Sequence, residues 1–197
     1  MIKIDFGASI YKEDGWVTVD IDTEYKPDVV HDMDVFPYPF PDSYADTVRC
    51  SHVLEHLKNP LLTISEFQRI LKTDGLLILE FPHHSRNWAG CGVFPHSHVC
   101  SIPIDIMDFF PAFKTIRFRI EWVRSPSGKS LKFWTEVANN VISDFASLNP
   151  KIADRVWCYW VGGFDNVRIE AVKLENEVAT AEIVRKRKEY HLHEVIA

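Results

Sequence analysis

DTVRCSHVLEHLKNPLLTISEFQRILKTDGLLILEF, residues 46–81, is the stretch that decides the fold. It opens on a short β-type run, 47–50, and after Asn59-Pro60 it sets Leu61, Ile64, Phe67, Ile70 and Leu71 at helical spacing. Proline suits a first helical turn, where its missing N–H would have had no partner. The helix is expected to end near 72–75, at Gly75. Residues 76–81 then form a nearly continuous apolar run, as in a parallel strand covered on both faces. Strand, helix and strand in this order make a crossover between parallel neighbours.

Upstream, strands are expected over 2–6 and 16–20, with a short third at Val29-Val30. Pro37, Pro39 and Pro41 alternate through 36–42, which therefore reads as an extended loop rather than a helix or central strand. Downstream come a long loop from His83 to Cys100, a short helix over 103–110 and a strand over 115–123, where Ile116, Phe118, Ile120 and Trp122 alternate. A helix over 131–145 and a last strand over 167–174 follow. The expectation is one α/β domain over 1–175. Its charged tail, 176–197, includes a solvated or partner-seeking helix over 177–191.

With 197 residues the chain can bury a full single core. Its 46% hydrophobic and 25% charged residues are ordinary globular values. A net charge of −6 excludes a broad nucleic-acid surface, which needs Lys and Arg to neutralise phosphates. No apolar run is long enough to span a bilayer, and Met1 leads into a strand rather than a leader, so a cytoplasmic location is expected. Cys50, Cys91, Cys100 and Cys158 form no CxxC pair and fit reduced, mostly buried thiols.

In an open α/β sheet the ligand lies beyond the carboxyl ends of the strands. That rule selects Gly7 to Ser9, Asp20 with Asp22, His31 with Asp32, Ser51 to His56, and His83 to Arg86. Gly7 lets backbone N–H groups come close to a ligand, and Asp20, at the end of the second strand, can accept both hydroxyls of a ribose.

Ordered blocks then add specificity. These are IDFGAS at 4–9, GWVTVDID at 15–22, DVVHDM at 28–33, PFPD at 39–42, DTVRCSHVLEHL at 46–57 and FQRILKTDGLLI at 67–78. In order and spacing, from about residue 2 to 84, they resemble the small "methyltransferase domain" group of class I S-adenosylmethionine (SAM)-dependent methyltransferases. The resemblance implies a Rossmann-like SAM-methyltransferase fold: a mostly parallel central sheet with helices on both faces and an antiparallel C-terminal strand. It implies SAM as cofactor, with Gly7, Ala8 and Ser9 beneath its methionine part, Asp20 on the ribose, and Asp32 with Met33 flanking adenine. Ser51 and His52 would border the sulfonium and the acceptor.

Two features depart from the family pattern. Only Gly7 stands where two or three glycines are usual. Only residues 8–15 separate the first two strands, too few for a crossover helix, which must be absent or reduced to a turn. The cofactor pocket is then expected to be shallow or closed by another subunit, which makes a homo-oligomer one expectation.

His52-Val53-Leu54-Glu55-His56 also fits H-x-x-E-H, in which two histidines one helical turn apart hold zinc and a glutamate acts as base. This zinc-dependent hydrolase is the third choice, because the surrounding strand and Asn-Pro helix start are the methyltransferase arrangement. His83, His84, Cys91, His96, His98 and Cys100 are metal-binding types at a spacing that matches no metal motif, so no metal ligand is assigned.

His83 and His84 follow the fifth strand, where an imidazole with a near-neutral pKa could take a proton from an acceptor; with His52 they are the catalytic candidates. Arg86 could fix an anionic acceptor. The aromatics Trp88, Phe94, Trp134, Trp157, Tyr159 and Trp160 are expected chiefly in core or interface. The expected activity is methyl transfer to a small-molecule or glycan-type acceptor, with no membrane partner. A non-catalytic binding or scaffold protein on the same fold is the alternative.

Overall fold

The computed structural model describes residues 1–10, 12–85, 98–122, 133–161 and 163–175. Arg86, Trp88, Cys91, Phe94, His96 and the 177–191 tail helix lie outside them, as does the side chain of Trp134. Seven strands form one sheet: β1 Lys3–Phe6, β2 Trp16–Asp20, β3 Val29–Val30, β4 Ala45–Ser51, β5 Leu71–Pro82, β6 Phe113–Glu121 and β7 Asn166–Lys173. Their spatial order is β3-β2-β1-β4-β5-β7-β6. The first five are parallel, and β7 runs antiparallel to both β5 and β6. This is the mostly parallel α/β sheet with an antiparallel C-terminal strand that was expected.

Order reverses at β1, which continues to β2 on one side and to β4 on the other, so the carboxyl ends of these three strands face one crevice. Helix α1, Pro60–Ile70, joins β4 to β5. Asn59 caps it by accepting the Leu62 N–H, and Pro60 takes the first position. Its buried stripe is Thr63, Ile64, Phe67 and Ile70, with the Phe67 ring 4.8 Å from that of Phe6. Phe6, Phe67, Phe81, Leu77 and Leu79 are fully buried at the centre.

The proline loop 36–42 has no ladder partner, yet it is tied down. Tyr38 is buried; its hydroxyl donates to the Met33 carbonyl and lies 3.1 Å from Thr63 Oγ1, while its N–H donates to Glu66. Arg69 donates to the carbonyls of Tyr38 and Phe40, acceptors for which no neighbouring strand supplies a donor. Between β1 and β2 no helix occurs among the described residues, as the short spacing required. The turn is held instead from β4. Arg49 pairs with Asp5 and Glu13 and lies 4.1 Å over the Trp16 ring.

Four expectations need correction. Helix α1 ends at Ile70, not near 72–75, because the carbonyls of Arg69 and Ile70 accept the N–H groups of Ser43 and Tyr44. The 103–110 helix is a 3-10 turn at Ile106–Phe109. A bulge between Thr115 and Arg117 turns Ile116 outward to 55% exposure, while Phe118 and Ile120 keep their inward places. After α2, Phe133–Leu148, the helical path resumes through Pro150–Ile152, a π turn at Ala153–Trp157 and Cys158–Trp160, and it leaves Trp157, Tyr159 and Trp160 exposed, which corrects the core half of their core-or-interface expectation.

Phe67→Ala should therefore lose about 3–5 kcal/mol in urea denaturation, the range for emptying a buried aromatic site. Ile116→Ala should stay within about 0.5 kcal/mol; a loss comparable to that of Phe67→Ala would place Ile116 in the core after all.

Candidate functional site

The candidate residues fall in three groups along the carboxyl edge of the parallel strands: after β1 with β2, after β4 and after β5. At the first, Gly7 has φ 74° and Ser9 φ 50°, so the chain turns sharply after β1. Gly7 N–H donates to the Val19 carbonyl, and Ser9 N–H donates to Asp20 Oδ2 at 3.0 Å. Asp20 Oδ1 takes the Asp22 N–H at 3.0 Å. The glycine turn and the β2 carboxylate are thus one hydrogen-bonded unit. A Cβ on Gly7 would lie 2.1 Å from Val53 Cγ2, so glycine is demanded by packing as well as by its dihedral. Ala8 is buried, Asp32 is exposed with Oδ1 on the Asp34 N–H, and the Met33 side chain belongs to the main core.

At the second, beyond β4, the Ser51 hydroxyl donates to Glu80 at 2.8 Å, and Arg168 pairs with that same carboxylate. Burial pushes the Glu80 carboxyl up, but the Ser51 hydroxyl and the Arg168 charge outweigh it and hold the group below its ordinary value. His52 follows in the left-handed region, φ 55°, ahead of a 3-10 turn at Leu54–His56. The helix that an H-x-x-E-H zinc site requires is therefore not formed. Glu55 is 1% exposed, with His52 Nδ1 at 3.4 Å and His98 Nε2 at 3.9 Å from its Oε1.

At the third, beyond β5, His83 is fully buried. Its Nδ1 accepts the Ser85 N–H and lies 2.8 Å from Ser85 Oγ, which itself accepts the Phe164 N–H. That Nδ1 acceptor role puts the proton on Nε2, 3.2 Å from Asp154 Oδ1. Burial, with the neighbouring His84 charge second, lowers the His83 pKa to about 4, so the ring is neutral. His84 is the accessible partner: its Nδ1 lies 3.0 Å from Asp154 Oδ1 and its side chain is 36% exposed. Burial raises the Asp154 carboxyl.

His84 and Asp154 border a cavity of about 300 Å³ together with Ser101, Asp105, Lys151 and Arg155. Of these only His84 was singled out from sequence. Asn149-Pro150 repeats the Asn59-Pro60 helix-start signal and could have placed Asp154 on a helical turn, but no local pattern puts that turn against His84.

Residues 14–79 match a family model described as "Methyltransferase domain". No curated protein matches the chain. Among solved structures, a chain of the Haloferax volcanii complex between the Trm112 methyltransferase activator and a methyltransferase is similar at TM-score 0.56 and 15% identity, covering 88% of this chain and 83% of that one. A SAM-dependent methyltransferase from Archaeoglobus fulgidus is similar at TM-score 0.53 and 20% identity, covering 87% and 85%. The [4+2]-cyclase SpnF is similar at TM-score 0.54 and 15% identity, covering 87% and 75%. The chain has the fold of these SAM-dependent methyltransferases, and the stretch that matches the family model runs from just before β2 into β5. Among the described residues no helix is long and apolar enough to cross a membrane.

A buried histidine whose pKa falls on folding binds its proton more readily when unfolded, so its contribution is complete above about pH 6.5 and is lost as pH falls toward about 4. His83 should therefore contribute on the order of 3 kcal/mol to the loss of stability across that window. The raised carboxyl of Asp154 acts in the opposite sense at the lower end. Denaturant titrations from pH 7 to 4.5 should show a flatter slope for His83→Asn than for the native chain, and parallel slopes would refute a neutral His83.

Proposed function

We propose that the chain transfers the methyl group of SAM to a small-molecule or glycan-type acceptor bound beside His84. The observation that carries this reading is the Ser9–Asp20 hydrogen bond, which joins a glycine turn and a ribose-type carboxylate at the switch point of the sheet. Each Asp20 oxygen already accepts one N–H, and a carboxylate oxygen has a lone pair left for a ribose hydroxyl. Gly7, Ala8 and Ser9 would lie beneath the methionine part, Asp32 and Met33 beside adenine, and Ser51 and His52 near the sulfonium.

SAM, when bound, would supply an electrophilic methyl group to an acceptor lone pair, with a neutral thioether as its leaving group. The acceptor proton goes to His84 Nε2, because Asp154 engages Nδ1 and favours the tautomer with Nε2 free. His83 supports the pair from beneath as a neutral positioning residue. Lys151 and Arg155 share the cavity wall with the Asp105 and Asp154 carboxylates, a lining of both charges that suits a polar acceptor. Reduced thiols at Cys50, Cys100 and Cys158 accord with a cytoplasmic setting.

A second reading, a binding or scaffold protein on this fold, draws support from Val53, which closes one side of the single-glycine turn. The similarity to a [4+2]-cyclase is a reminder that this architecture does not dictate methyl transfer.

Titration calorimetry with S-adenosylhomocysteine decides between them. The native chain should bind it, Asp20→Asn should weaken binding about tenfold or more through the lost charged acceptor, and His84→Gln should leave binding intact. With labelled SAM and a small-molecule extract, His84→Gln should then lower methyl incorporation by about 100-fold, the scale of general-base loss. Failure of the native chain to bind either nucleoside at millimolar concentration would defeat the enzymatic reading.

A further inference from the structure

The turn at Leu54–His56 carries a feature that methyl transfer does not use. Glu55 is 1% exposed, and neither of its side-chain oxygens has a hydrogen-bond partner. The buried Nε2 of His52 and Nδ1 of His98 also lack one. A buried carboxylate is normally paired, hydrogen-bonded or bound to a cation, because leaving water uncompensated is costly. Around Glu55 stand imidazoles instead of hydrogen-bond donors in line. His56 and His98 lie edge to face with ring centroids 4.9 Å apart, and one ligand atom each from Glu55, His56 and His98 falls within 4.8 Å of the others.

The backbone builds this cluster. Val99 and Cys100 both donate their N–H groups to the Glu55 carbonyl, at 2.7 and 3.2 Å, which pins the 98–100 segment onto the 54–56 turn and sets His98 beside the carboxylate. We propose that Glu55, His56 and His98 bind a divalent transition-metal ion. Two imidazoles and a carboxylate are the donor set for zinc, iron or manganese; tetrahedral bonds of about 2.1 Å set ligand atoms about 3.4 Å apart, so side-chain rotation must draw these three together on binding. The ion supplies the positive charge that Glu55 lacks and staples two segments 43 residues apart in sequence, His98 and Glu55.

A second group, His83, His84 and Asp154, is as compact. It leaves one buried atom, His83 Nε2, without a hydrogen-bond partner, against four around Glu55; His83 Nδ1 is occupied by Ser85, and both rings face the Asp154 carboxylate. It is the competing site in the test rather than the proposed one.

Metal-depleted full-length protein is titrated with Zn²⁺ and with Co²⁺, without SAM, and followed by elemental analysis, thermal melting and the Co²⁺ absorption spectrum. One equivalent should bind and raise the melting temperature, since an ion that prefers the native state stabilises it. Glu55→Gln and His98→Ala should each weaken binding about 100-fold, while Asp154→Asn binds as the native chain does. The Co²⁺ spectrum of the unmutated protein should show nitrogen and oxygen ligands without thiolate charge transfer, a readout that survives even if a variant does not fold. No uptake by the native chain, uptake abolished by Asp154→Asn but not by Glu55→Gln, or a thiolate band implicating Cys100 would each overturn the assignment. Because no nucleoside is present, these results stand independently of cofactor binding.

Discussion

One steric constraint organises the crevice: the Val53 methyl occupies the place where any side chain at position 7 would begin. The chain leaving β4 can approach β1 this closely only because residue 7 is glycine, and glycine also accepts the positive dihedral that starts the turn. From that contact the rest of the strand ends takes its position. Ser9 is carried round to the Asp20 carboxylate, and His52 is forced into a left-handed conformation that aims the following turn inward. An enlarged residue at 7 would disturb the Asp20 carboxylate and the turn that carries Glu55 together.

The parallel half of the fold was legible because its signals are local. Buried parallel strands read as unbroken apolar runs, and helix α1 announces itself through an Asn-Pro start and a 3.6-residue stripe. The missing first crossover helix was a matter of counting residues between strands. What could not be read locally is where the exceptions fall. Ile116 keeps its place in an alternating pattern, yet the bulge that turns it outward arises from how β6 registers on β7. Trp157, Tyr159 and Trp160 look like core residues by type, and only the packing of the π turn leaves them outside.

The candidate site divides in the same way. Gly7, Asp20, Ser51, His52, His83 and His84 can be proposed from sequence because lying at or just past a strand end is a local property. Sequence position did not show which of two adjacent histidines is accessible. Burial and the Ser85 cradle make His83 the neutral support, whereas Asp154 engages His84 at the cavity edge. Asp154, Lys151 and Arg155 come from a helical segment roughly seventy residues downstream, so their convergence on β5 is purely tertiary.

The two histidine clusters differ in what burial has left undone, and that difference assigns them different work. Around Asp154, among the described residues, only His83 Nε2 is left buried without a hydrogen-bond partner, and it lies 3.2 Å from the carboxylate that also faces His84. Around Glu55 the balance is incomplete: an interior carboxylate faces imidazoles that do not align to neutralise it. A fold retains such a group against its desolvation cost only where something outside the chain completes it or where its proton stays on. The paired backbone hydrogen bonds from Val99 and Cys100 favour the first alternative, since they hold His98 beside the carboxylate with no aligned hydrogen bond between the two side chains.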